Sequence, residues 1–330
     1  MSIFTTRRAV LAGLAASAAM PLAAQASFTA AFDRARALDQ LRALVIAQDG
    51  EVVAAEAVRG PSLETPVNVK SVSKSVVSAL TGIAIARGEL LGVEATLDDV
   101  APNLVPQGAE DGVGDITIEN LLTMRAGLER TSGGNYGAWV QSGNWVTDAL
   151  SRPFVAEPGG QMLYSTGSTH VLGAVLAEVS GQSLLELARR RIGDPLDIEI
   201  PPWTRDPQGR YMGGNNMALS PLGMIRFGEA WRTDLGVVPR DWVEAAWSPH
   251  TRSRFSGDGY GYGWFLSEFT GRDAVYARGY GGQMIWVIPS LRLTVAVTSD
   301  PDRPARSRGY AGDLHRLVAE TVVREVRRAG

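Results

Sequence analysis

The sequence predicts an α/β fold of the α+β type, an α/β lobe interrupted by a mainly helical lobe. Three observations carry that expectation. Two strand-like segments near the start, residues 41–48 and 51–58, are joined through Asp49-Gly50, a dipeptide suited to a two-residue hairpin turn. Four more strand-like segments cluster near the end, at 260–267, 274–278, 283–288 and 292–299. Between them, from about 101 to 253, helical patterns alternate with Gly/Pro-rich loops. Strands at both ends with helices between imply one mixed sheet that the two ends complete together. The expected boundaries are residues 27–100 plus 255–330 for the sheet lobe and 101–254 for the inserted helical lobe.

The elements follow from local pattern. Residues 72–86 form a helical stretch followed by Gly88, and Val72, Val76, Val77, Ala79, Leu80, Ile83, Ala84 and Ile85 cover most of its circumference. A helix apolar nearly all round is a buried helix. Residues 118–124, 170–179, 183–191 and 221–232 give the clearest helical patterns of the middle region. Ser220-Pro221 supplies an N-cap and a first-turn proline for the last of them. Residues 194–216 are irregular and rich in Pro and Gly, as segments that line sites often are. The alternating glycines of 257–263 lack the GxGxxG spacing, open no helix, and read as a strand with small residues on one face. An amphipathic helix from about 314 to 328 closes the chain.

Composition narrows the function. Of 330 residues, 45% are apolar and 20% charged, a globular balance that excludes disorder and collagen-like repeats. A net charge of −3 without any Lys/Arg run offers no broad basic surface to nucleic acid. Cysteine is absent, which excludes disulfides, thiolate metal sites and a cysteine nucleophile. The histidines His170, His250 and His315 have no HExxH or paired spacing, so no metal or other cofactor is expected. Residues 1–26 combine Arg7-Arg8, an uncharged run from 9 to 24, and Ala24-Gln25-Ala26, the pattern of a signal peptide cleaved after Ala26. That run is short for a membrane span, and no later stretch is long enough. Thr6-Arg7-Arg8-Ala9-Val10-Leu11 resembles a twin-arginine signal, a general secretory signal being the other reading. Both place the mature chain in the periplasm or outside the cell.

Ser71-Val72-Ser73-Lys74 puts a hydroxyl and an amine on neighbouring positions of one helix face. Lys74 is the only charged residue between Ser71 and Ala86, in a chain that holds 30 Arg and 2 Lys. Burial disfavours an ammonium, so a lysine there can serve as a general base where an arginine stays protonated. Ser71 at the helix start would also offer its own N–H to an oxyanion. The alternative makes Ser71 a helix cap and lets Lys74 reach solvent. No G-x-S-x-G elbow occurs and neither lysine follows a glycine, which removes the ordinary α/β-hydrolase and P-loop readings.

With Tyr164-Ser165-Thr166 and Ala277-Arg278-Gly279-Tyr280-Gly281-Gly282-Gln283 following in order, Ser71-x-x-Lys74 resembles the first of the three motifs of serine β-lactamase-type hydrolases. That family includes class C β-lactamases, penicillin-binding D,D-peptidases, family VIII carboxylesterases and 6-aminohexanoate-dimer hydrolases; the likeness is greatest to the dimer-hydrolase branch. The resemblance implies a β-lactamase/transpeptidase-like fold, an antiparallel sheet flanked by helices with an inserted helical lobe. It further implies an acyl-enzyme on Ser71, Lys74 accepting or relaying the proton, and Tyr164 sharing the base role and protonating the leaving group. Which of the two is the base stays open. Backbone N–H groups of Ser71 and Tyr280 would form the oxyanion hole, with Gly279 and Gly281 letting substrate approach. Tyr136 matches a substrate-side tyrosine of the dimer-hydrolase branch, or else is a rim aromatic on Trp139 or Trp145. His170 reads as a core histidine.

Two departures bear on the substrate. Thr166 stands where β-lactamases and peptidases carry Asn, and Arg278-Gly279 where they carry Lys- or His-Thr-Gly. The expected function is an exported serine hydrolase of small-molecule esters or amides, with no cofactor and no nucleic-acid partner. A β-lactamase or D,D-peptidase, and a non-catalytic penicillin-binding-type sensor, are the alternatives.

Overall fold

Strands Gln283–Ile288 and Leu293–Ser299 are buried at every position, so the sheet they form needs cover on both faces. The computed structural model, which describes residues 28–329, shows that cover. The expected export signal at 1–26 lies outside the described residues. The chain first supplies α1 (Thr29–Ala37), β1 (Leu41–Gln48), β2 (Glu51–Ala57), β3 (Val67–Lys70), α2 (Ser73–Ala86) and α3 (Thr166–Ser180). Then come β4 (Met217–Leu219), α4 (Pro221–Arg232), β5 (Thr251–Arg252), β6 (Gly259–Tyr260) and β7 (Phe265–Glu268). The chain ends with β8 (Asp273–Gly279), β9 (Gln283–Ile288), β10 (Leu293–Ser299) and α5 (Tyr310–Leu317), which continues through wider turns to Ala329.

The sheet order is β2-β1-β10-β9-β8-β7-β6-β5, so strands from both ends of the chain meet where β1 pairs with β10. Every neighbouring pair is antiparallel, and the sheet is not mixed as the strand pattern alone suggested. Period-two alternation divides its residues between two cores. Leu44, Ile46, Trp286 and Val295 pack with Phe32 of α1 and with Leu314 and Leu317 of α5. Val45, Ala47, Ile285 and Val287 pack with Val76 and Leu80 of α2 and Phe227 of α4. α2 is buried almost all round, as its composition implied.

Several expectations change in detail. The β1–β2 hairpin forms as expected, with Asp49 and Gly50 both at positive φ, +56° and +91°. The segment read as one strand at 260–267 is itself a hairpin of β6 and β7. Gly263 adopts φ +77° and Gly261 N–H donates to Trp264 O at 2.9 Å, which turns the chain back. The 257–263 glycines therefore end in a turn and do not form one continuous strand. The helix expected at 118–124 stops at Leu122, and Met124 takes φ +61°. α3 begins at Thr166, earlier than expected, which sets Tyr164 and Ser165 at its N-terminal end. β3 and β4 form a separate two-stranded ribbon that no sequence pattern announced.

Candidate active site

β3 delivers the chain to Ser71 through an unusual backbone. Lys70 adopts φ +51°, in the left-handed region that residues other than glycine rarely occupy. Its N–H donates to Asn68 Oδ1 at 2.8 Å, and its C=O accepts from Ser73 Oγ at 2.5 Å. Met217 N–H of β4 donates to Ser73 Oγ at 3.1 Å. The ribbon thus fixes the residue just before Ser71, and backbone strain of this kind collects at functional sites. Ser71 does not cap α2: the cap position falls on Val72, and no side-chain capping bond forms.

One turn on, Lys74 is only 2% exposed. Its Nζ lies 3.4 Å from Ser71 Oγ, 3.4 Å from Thr166 Oγ1 and 2.5 Å from Gly214 O. No carboxylate pairs with it among the described residues, and burial pulls the amine from 10.5 to about 7. Gly214 must be glycine for this contact: a Cβ there would sit 2.9 Å from Thr166 O and 3.0 Å from Nζ.

Tyr164 closes the other side. Its ring centroid lies 5.1 Å from Lys74 Nζ. Burial pushes the phenol up to about 12, opposed by the nearby Ser71 side chain and the Arg278 charge. Tyr260 and Phe265 hold the ring at centroid distances of 6.4 and 6.5 Å. Thr166 N–H donates to Ser132 Oγ at 2.9 Å, and the Thr166 and Ser132 hydroxyls are 3.0 Å apart. Ser132 belongs to no recognisable spacing, and Gly214 is reached from the sequence only as part of the irregular 194–216 segment; the fold brings Gly214 to Lys74 and Ser132 to Thr166.

The third segment makes a turn, with Gly282 N–H donating to Gly279 O at 3.2 Å. A Cβ on Gly279 would fall 2.2 Å from Val69 O, and one on Gly281 would fall 2.3 Å from Asp300 O. Expected to admit substrate, both glycines are pressed against the chain's own backbone, which seats the turn beside the residues leading into Ser71. The N–H groups of Ser71 and Tyr280 have no hydrogen-bond acceptor among the described residues. Arg278 donates to Ser307 Oγ at 2.9 Å and Ala305 O at 2.7 Å. A cavity of about 220 Å³ borders Tyr164, lined also by Arg130, Met162, Leu163, Arg254 and Phe255.

Residues 35–320, most of the chain, match the sequence profile of the beta-lactamase family. The chain belongs to that family. Among solved structures, the octameric penicillin-binding protein homologue from Pyrococcus abyssi is similar at TM-score 0.69 and 20% identity, over 90% of this chain and 76% of that one. EstCE1, a hydrolase with promiscuous acyltransferase activity, is similar at TM-score 0.70 and 20% identity, over 93% and 97%. A Bacillus anthracis protein provisionally assigned as a 6-aminohexanoate-dimer hydrolase reaches TM-score 0.72 at 18% identity, over 89% and 81%. At these identities the likeness is one of fold. No curated protein is similar enough to the chain to count as a match.

Within this beta-lactamase-family fold, Tyr136 is half-buried and 5.8 Å from Trp139, centroid to centroid. Its hydroxyl accepts from Asn215 Nδ2 at 2.9 Å, one residue beyond Gly214. Tyr136 therefore stands on the same loop contact as Lys74 while also packing on the neighbouring indole. His170 is fully buried and paired with Asp206, as a satisfied core histidine would be.

Proposed function

We propose that the protein is a serine hydrolase that cleaves esters or small amides through an acyl-enzyme on Ser71, exported under the direction of residues 1–26. The observation that carries this reading is a buried Lys74 amine, lowered to about 7, at 3.4 Å from Ser71 Oγ. As a neutral amine Lys74 can spend two N–H groups on Gly214 O and Thr166 Oγ1, leaving its lone pair for the Ser71 proton. Tyr164, at about 12, stays protonated near neutrality and suits the donor role better than the base role.

In that scheme Ser71 Oγ bonds to the substrate carbonyl carbon as its proton passes to Lys74. The N–H groups of Ser71 and Tyr280 hold the oxyanion. Collapse breaks the C–O or C–N bond; Tyr164 protonates the departing atom and regains a proton from Lys74. Water then attacks the acyl carbon, yields its proton to Lys74, and the released Ser71 oxygen takes that proton back. Two features favour an acidic leaving group. Arg130 and Arg254 line the cavity beside Tyr164, and neither guanidinium has a carboxylate partner among the described residues. Arg278, by contrast, is committed to the 305–307 segment.

Steady-state hydrolysis tests the reading. Wild type is expected to turn over p-nitrophenyl butyrate, and 4-acetoxybenzoate faster than its methyl ester, with Ser71→Ala slower by about 10³-fold or more. Turnover confined to a chromogenic cephalosporin would favour the β-lactamase alternative. No Ser71-dependent turnover of any of these would favour the sensor.

A further inference from the structure

The 2.5 Å contact between Lys74 Nζ and Gly214 O is set from behind the loop. Gly213 N–H donates to His170 Nδ1 at 3.3 Å. With Nδ1 accepting, the ring proton is assigned to Nε2, which faces Asp206 Oδ2 at 3.2 Å. Asp206 Oδ1 accepts from the N–H groups of Gln208 and Arg210 at 2.9 and 2.8 Å. Both side chains of the His170–Asp206 pair are wholly buried. Trp139 and Trp145 flank the imidazole at 5.8 and 5.6 Å. The loop sits directly on α3, since a Cβ on Gly213 would lie 2.3 Å from Thr169 O.

We propose that His170 is a positioning residue: oriented by Asp206, it holds Gly213 and so aims the Gly214 carbonyl at Lys74. The functional meaning rests on the role proposed for Lys74, whereas the geometry does not. A core histidine could satisfy its nitrogens on any neighbours. This one satisfies Nδ1 on the residue before the carbonyl that meets the amine. The same loop continues to Asn215 and its bond to the Tyr136 hydroxyl, so one clamp sets the amine and a wall of the site.

A carbonyl that accepts from Lys74 favours the ammonium over the amine, so loosening it lowers the pH at which Lys74 titrates. The groups facing Lys74 are Ser71, Thr166, Gly214 O and the Tyr164 ring, with Arg278 acting on Tyr164 from further away. His170 faces Asp206, and Arg210 Nη1 lies 3.8 Å from that carboxylate.

Lys70 and Lys74 are the only lysines, so 13C-lysine NMR follows Lys74 directly, with Lys70 as internal reference. His170→Gln keeps a donor toward Asp206 and removes the acceptor for Gly213 N–H. His170→Asn keeps an acceptor near the Nδ1 position and gives up Asp206. The Lys74 midpoint is expected to fall by about half a pH unit or more in His170→Gln and to stay near wild type in His170→Asn. An unmoved midpoint in folded His170→Gln, with only its melting temperature lowered, would overturn the proposal, as would equal shifts in both variants. Should either variant fail to fold, Asp206→Asn decides. With its oxygen kept on the Gln208 and Arg210 N–H groups, its amide nitrogen donates to His170 Nε2. That moves the ring proton to Nδ1 and removes the acceptor for Gly213 N–H, so a downward shift is expected and an unmoved midpoint overturns the clamp. The NMR readout needs no turnover, so absent hydrolysis beside the expected shift would count against the hydrolase reading alone.

Discussion

Lys74→Met is expected to abolish hydrolysis and to make the protein more stable. Lys74 is 2% exposed and its amine has no carboxylate partner among the described residues, and burial brings it from 10.5 to about 7. Below pH 7 both folded and unfolded chains hold the proton, and the folded state bears the whole cost of a buried ammonium. At about 1.4 kcal/mol per pH unit that cost is about 5 kcal/mol. Between pH 7 and 10.5 the unfolded chain binds more protons than the folded one, so stability rises with pH and the cost fades. Methionine fills similar space without charge, while Gly214 O loses its donor, an offset of about 1–3 kcal/mol. The variant is therefore expected to exceed wild type by about 2–4 kcal/mol at pH 6, with the gain shrinking toward pH 10. Hydrolysis should fall by about 10³-fold or more. Lys74→Arg should lose activity equally, because a guanidinium stays protonated, but without the gain in stability. Urea unfolding at pH 6, 8 and 10 and initial rates check both statements. A methionine variant no more stable at pH 6, or an arginine variant at wild-type rates, would contradict them.

Trp264→Ala should have the largest effect on stability away from the catalytic groups, a loss of about 3–5 kcal/mol. The ring is fully buried, edge-on to Trp231 at 5.1 Å and to Trp247 at 6.1 Å, and stacked on Phe227 at 6.3 Å. Its removal opens a cavity where α4 meets the β6–β7 turn. The neighbouring Gly263 carbonyl accepts from Ser75 Oγ at 2.7 Å, so the damage reaches α2 one residue past Lys74. The expected signature is a lower urea midpoint at an unchanged slope, with a smaller loss of kcat than any change at Ser71 or Lys74. A stability loss under about 1 kcal/mol would mean that this aromatic cluster is not a packed junction.

What the residues disclosed and what they withheld have separate physical causes. Asp49-Gly50 specifies a hairpin turn through the dihedral preferences of two residues, and Ser220-Pro221 caps α4 in the same local way. Lys74 stood out because a buried helix tolerates a lysine only at a cost, and no carboxylate among the described residues meets its amine. The 260–267 segment misled because its apolar pattern continues across a turn that Gly261 and Gly263 make sterically available. β3 and β4 are too short to show a period, and they pair only because the chain returns from Asp194–Asn216 beside Asn68. Gly214 and Asp206 lie in the 194–216 segment expected to line a site, but no motif singles out either of them or Ser132, and their places beside Lys74, His170 and Thr166 come from tertiary packing. Such residues are legible only after folding.

The most direct measurement is fluorophosphonate labelling of the protein, followed by intact-mass analysis and peptide mapping, with the labelling rate recorded from pH 5 to 9. The expected result is a single adduct on Ser71, formed faster as pH rises through about 7, where Lys74 becomes a neutral amine. Folded protein that forms no adduct at Ser71, or labels there at a rate independent of pH, would contradict a serine nucleophile activated by Lys74.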